Sequence, residues 1–188
     1  MTHINKGKPF PLGSSLTSKG VNFSLIATNA EYVEILLFEK EDSIFPKTIL
    51  KLDQNHNTGP YWHAEIKNLN EGCIYAYRVK QKNNEINNNY EKKVLLDPCS
   101  RGITGWGSYK RENALKTQEN TNSCLKSVVC NRKLFRPFGG SVGSKQKIGS
   151  NSIVVMPSSW RYGIFFKNFL KQLSSLSADS VKALIWSS

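Results

Sequence analysis

From Tyr61 to Lys80 the side chains alternate in character with a period of two, and this restricts the fold more than any other feature of the chain. Trp62, Ala64 and Ile66 take one side of an extended segment, and Tyr61, His63 and Glu65 take the other. A strand turns successive side chains to opposite faces, whereas a helix would spread them around its axis. A second run sets Cys73, Tyr75, Tyr77 and Val79 against Ile74, Ala76, Arg78 and Lys80. Between the runs, Asn68–Gly72 has turn composition. The pattern predicts a β-hairpin rich in aromatics, with two faces of different polarity.

Similar runs flank it. Gly20–Thr28 sets Val21, Phe23, Leu25 and Ala27 opposite Asn22, Ser24 and Thr28. Tyr32–Glu39 is apolar on both faces at Ile35-Leu36-Leu37, as a strand covered on both sides would be. Phe45–Leu52 follows the acidic turn Glu39–Asp42, and the short run Val94-Leu95-Leu96 stops at Asp97-Pro98. Gly7–Gly13 is too rich in proline and glycine for a regular helix, and the polar Asn83–Asn89 reads as a surface loop. Five or six short strands about 10 residues apart predict a mainly β protein, an antiparallel β-sandwich within the first ~100 residues. Residues 102–135 read as a linker or extension. Residues 136–188 read as a poorly defined basic tail rich in Ser and Lys. It holds one candidate amphipathic helix, with Phe165, Phe166, Phe169, Leu170, Leu173 and Leu176 on one face.

The formal charge of +12 is unevenly spread: from Asn131 onward there are nine bases and a single acid, Asp179. Such an excess suits polyanions or anionic membranes. No recognition motif accompanies it, so neither nucleic acid nor membrane is an expected partner. The cysteines at 73, 99, 124 and 130 have no Cys-x-x-Cys spacing and no histidine pair nearby, which argues against zinc; no metal and no cofactor are expected. The start, M-T-H-I-N-K-G-K, lacks the apolar core of a signal peptide, and no run approaches the ~20 apolar residues of a membrane span. These features predict a cytoplasmic protein with reduced thiols.

Six phrases then occur in an order that resembles the N-terminal domain of isoamylases and glycogen-debranching enzymes. They are Pro9-Phe10-Pro11-Leu12-Gly13, Gly20-Val21-Asn22-Phe23-Ser24, Val33-Glu34-Ile35-Leu36-Leu37-Phe38, Thr58-Gly59-Pro60-Tyr61-Trp62-His63, Gly72 with Tyr75-Ala76-Tyr77-Arg78-Val79, and Leu95-Leu96-Asp97-Pro98. Lys126-Ser127-Val128-Val129 extends the similarity to about residue 135. Cys99-Ser100 stands where the family usually has an aromatic and a small residue, and Lys80-Gln81 replaces its Gly-Pro turn. The resemblance implies an immunoglobulin-like antiparallel β-sandwich of the carbohydrate-binding module 48 type over residues 7–101, placed ahead of a (β/α)8 barrel that hydrolyses α-1,6 branch linkages in glycogen or starch. Such a barrel needs roughly 250 residues, and 53 follow position 135. The expectation is therefore a truncated debranching protein, inactive by itself, with a catalytic barrel in a separate chain as one candidate partner.

Glycoside hydrolysis needs two carboxylates on a rigid scaffold, and after Glu119 the chain has only Asp179. His3, His56 and His63 lie in no nucleophile–base motif, and the glycines from Gly139 to Gly149 do not form a phosphate loop. No catalytic residue is expected. The carbohydrate-binding candidates are Trp62, Tyr61, Tyr75 and Tyr77, whose rings offer flat faces to an α-glucan, with Lys80 or Asn68 supplying hydrogen bonds. The competing and stronger expectation is that large aromatics alternating on strands build the core of a small sandwich. The other readings are a free-standing α-glucan-binding or regulatory module, and a basic nucleic-acid or membrane-surface binder acting through the tail. Family resemblance fades near position 135, where acids become scarce and serines common, which a frameshift in a debranching gene would explain.

Overall fold

The computed structural model describes residues 3–82, 92–116 and 118–131 in full, and 145–148 and 151–155 by their backbone. In chain order the strands are β1 (Ile4–Lys6), β2 (Gly13–Leu16), β3 (Gly20–Ile26), β4 (Ala30–Phe38), β5 (Thr48–Leu52), β6 (Asn57–Thr58), β7 (Tyr61–Lys67) and β8 (Ile74–Gln81). After these come β9 (Gly102–Thr104), a short helix α1 (Arg111–Leu115), β10 (Lys126–Val128), β11 (Lys145–Ile148) and β12 (Asn151–Val155). They form two antiparallel sheets. One runs β1-β7-β3-β2 with β6 beside β7; the other runs β11-β12-β9-β10-β8-β4-β5. The mainly β sandwich expected from the alternation is the fold.

The predicted hairpin is not. β7 pairs with β3, from Gly20↔Lys67 to Ile26↔Tyr61, and with β1. β8 pairs with β4 and β10 in the opposite sheet. The connection crosses between layers, helped by left-handed backbone at Asn68 (φ 61°) and Gly72 (φ 85°). The Asn68 N–H donates to the Lys19 carbonyl in one layer, and the Gly72 N–H donates to the Val129 carbonyl in the other. Burial explains the choice. Trp62, Ala64 and Ile66 of β7 and Tyr75 and Tyr77 of β8 all enter one core with Val21, Phe23, Val33, Ile35 and Leu52. Facing each other across the layer shields both sets from water.

A second apolar cluster lies on the outer side of the larger sheet: Leu36 and Phe38 of β4, Ile74 and Ala76 of β8, with Val94, Cys124 and Val128. β4 is thus covered on both faces, as Ile35-Leu36-Leu37 predicts. The cover includes Val94 and, from the stretch expected to be a linker or extension, Cys124; that stretch also holds α1 and adds β9 and β10 to the sheet itself. Lys93, buried, donates from Nζ to the Ala114 and Lys116 carbonyls at 2.6 and 2.8 Å, satisfying the C-terminal end of α1. Lys126, also buried, reaches the Glu41 carbonyl at 2.8 Å. In the tail, β11 and β12 pair antiparallel and β12 joins the edge of β9. The candidate helix over Phe165–Leu176 and the loop Asn83–Asn89 lie outside the described residues.

A strap, Gly7–Phe10, crosses the outer face of the smaller sheet. Asn22 holds it in both directions: its Oδ1 accepts from the Lys8 N–H at 2.7 Å and its Nδ2 donates to the Lys8 carbonyl at 3.0 Å. The Ser24 hydroxyl donates to the Pro9 carbonyl at 2.6 Å. The outward polar side chains of β3 are therefore buried but paired.

Candidate functional site

Three of the four predicted sugar-contacting aromatics are core residues. Trp62, Tyr75 and Tyr77 are at most 2% exposed, so their faces are closed to any ligand. Tyr75 packs edge-on between Phe23 and Tyr77, with ring centroids at 4.8 and 5.7 Å. The Trp62 indole donates to the Ala27 carbonyl at 3.1 Å. The Tyr75 hydroxyl donates to Asp97 Oδ2 at 2.5 Å; Asp97 Oδ1 accepts the Cys99 N–H at 2.7 Å, and the Asp97 N–H donates to the Ser127 hydroxyl at 3.0 Å. Burial, with Asp97 close by, pushes both the Tyr75 and Tyr77 hydroxyls well above the ordinary tyrosine value. They stay neutral, and Tyr75 acts as a fixed donor. Asp97 is thus a structural knot that ties β8 to β10.

Tyr61 is different. It begins β7 with its side chain on the outer face, where the alternation puts it with His63 and Glu65. It is half-buried beside Phe10, which is 58% exposed; the ring centroids are 4.8 Å apart and the planes tilt by 57°. The strap carries Phe10 there. Lys80 and Asn68, proposed as polar partners, are not brought to Tyr61. Lys80 lies 3.8 Å from Glu31 in the opposite sheet, and Asn68 forms the crossover. A second aromatic pair, exposed Trp106 and half-buried Tyr109, has centroids 6.3 Å apart and follows β9. The pair lies in the stretch that reads from sequence as a linker or extension, where no aromatic stands out as a candidate. The signal available was two aromatics three residues apart in a glycine-punctuated segment.

Beneath the strap His63 is buried, with Nε2 2.8 Å from the Thr58 hydroxyl and Nδ1 without a hydrogen bond. Burial, then the nearby Lys6 charge, holds its pKa below the usual histidine value; the Gly7 backbone opposes the shift. Among the described residues no three His, Cys, Asp or Glu side chains are placed to hold a metal ion. No helix among them is long and apolar enough to cross a membrane.

Fold and site together define an antiparallel β-sandwich module with a closed aromatic core and an aromatic pair on its outside. Residues 11–100 match the family described as carbohydrate-binding module 48, the isoamylase N-terminal domain. A glycogen debranching enzyme of Erwinia tasmaniensis is 39% identical over 108 residues, covering 56% of this chain and 16% of the relative. One from Pectobacterium carotovorum is 33% identical over 109 residues with the same coverage. The chain thus spans about one sixth of the length of these relatives. A pullulanase structure from Paenibacillus barengoltzii superposes on 53% of this chain and 14% of its own, with 22% identity and a TM-score of 0.42, too loose to bear on function.

Proposed function

We propose that this chain is the N-terminal sandwich of an isoamylase-type debranching protein. The parent activity is hydrolysis of α-1,6-glucosidic branch linkages in glycogen or starch, and these 188 residues do not perform it alone. The observation that carries this reading is the match of residues 11–100 to the isoamylase N-terminal family. A cytoplasmic setting accords with four cysteines that form no disulfide; burial pushes the thiols of Cys73, Cys124 and Cys130 up to about 11. Purified protein incubated with glycogen should release no reducing ends. Debranching by this material would overturn the proposal.

The Phe10–Tyr61 pair at the surface, with Phe10 exposed and Tyr61 half-buried, favours a second reading, a free-standing α-glucan-binding module. On that reading glycogen in a native gel retards the protein, and Tyr61→Ala abolishes the retardation with an unchanged melting temperature. Trp62→Ala is not a test of binding, because removing a buried indole costs about 3–5 kcal/mol of stability. Migration unaffected by glycogen would rule the second reading out.

A further inference from the structure

We propose that the β9 edge is a self-pairing surface which the β11–β12 hairpin covers, and that uncovering it joins two copies of this chain. The end strands of a sheet offer unpaired backbone donors and acceptors to any extended segment, and proteins blunt them with charge, proline or a covering element. Among the described residues the other three sheet edges are blunted. β1 contains Lys6 and runs into Lys8. β5 contains Lys51 and follows Pro46-Lys47. β2 lies against the 99–101 segment, with the Arg101 guanidinium donating to the Ser14 carbonyl at 3.1 Å.

The fourth edge has no such device of its own. Gly102-Ile103-Thr104-Gly105-Trp106 contains neither charge nor proline, and all three β9 residues are buried. Its cover is β12, in the register Val154↔Ile103 and Val155↔Gly102. The outermost strand then becomes β11, Lys-Gln-Lys-Ile in sequence, so an uncharged edge is exchanged for one bearing two lysines. Apolar groups border the same place. Trp106 is 43% exposed just beyond β9. The β4–β5 turn, with Ile44 and Phe45 exposed, is tied to β9 by the hydrogen bond from Thr104 to Glu41.

The occupant that fits an uncovered β9 is β9 of a second copy. Antiparallel pairing of a strand with itself satisfies both edges by one two-fold axis, the commonest form of self-association. This holds whether the tail was selected for the purpose or acquired by accident.

The test uses the full chain. Val154→Pro removes a backbone donor and adds a ring at the pairing position. By sedimentation velocity the unmodified chain should be a monomer and the variant should have about twice the mass. A synthetic peptide of residues 145–155, added in excess, should return the variant to monomer by recovering the edge. Val155→Pro serves as the second variant if the first loses its β-sheet circular dichroism. Dimerisation of the unmodified chain, monomeric behaviour of both folded variants, or a dimer indifferent to the peptide would overturn the proposal. So would loss of the sheet spectrum in both, since the hairpin would then hold the fold instead of covering an edge.

Discussion

The Asn120 amide accepts the Val94 N–H at 2.8 Å and returns a hydrogen bond to the Val94 carbonyl at 3.1 Å. One side chain thereby replaces a missing strand neighbour at a site that is 1% exposed. Leaving a buried backbone donor or acceptor unpaired costs about 1–3 kcal/mol each. Asn120→Leu should therefore lower unfolding stability by about 2–4 kcal/mol in urea titration, whereas Asn120→Asp, which keeps the acceptor, should cost less. Asp97, Lys93 and Lys126 are likewise buried polar groups: Asp97 accepts from Tyr75 and the Cys99 N–H, Lys93 donates to the Ala114 and Lys116 carbonyls, and Lys126 donates to the Glu41 carbonyl. Their chemical character would suggest a reactive site in the sequence; their partners show that they hold segments together.

At the scale of elements, the strap depends on a close approach at Gly7. A Cβ there would lie 2.3 Å from Asn22 Oδ1 and 2.7 Å from the Ala64 carbonyl carbon, so Gly7→Ala must lift the strap from the sheet. The Lys8 amide should then lose about tenfold or more of its hydrogen-exchange protection while amides of β4 and β8 keep theirs, measured by exchange mass spectrometry. Phe10 would leave Tyr61 at the same time. The strands β3, β4, β5, β7 and β8 were legible because each has a period of two or a continuous apolar run. Alternation assigns a face, however, and not a partner: Trp62 and Tyr75 satisfy it equally as neighbours in a hairpin or as opposites across a core. β9 and β10 escaped notice because three residues are too few to show a period. Lys126 and Ser127 also look like surface residues until their buried hydrogen bonds are seen. Of the four candidate aromatics Tyr61 alone is left at the surface, and its companion Phe10 arrives from a segment with no periodic signal.

For the molecule as a whole, His63 links stability to pH. Its folded pKa lies below the usual value of about 6.5. On acidification the unfolded chain therefore binds the proton first, and stability falls. Above that value both states are neutral and the contribution is constant. Lys6 and His56 are the charged or titratable groups that press in the same direction. The melting temperature should be flat above pH 7 and decline below about 6.5, more steeply in the parent than in His63→Gln, as followed by thermal circular dichroism.

The layer that residues 92–130 spread over β4 and β8 decides where this module can be cut. Scissors placed at Arg101, just past the family match, would keep Val94 but strip Cys124 and Val128 from Leu36, Phe38, Ile74 and Ala76. A portable piece therefore runs on to Asn131, and a graft onto another protein has to carry that longer length to keep the outer cluster closed.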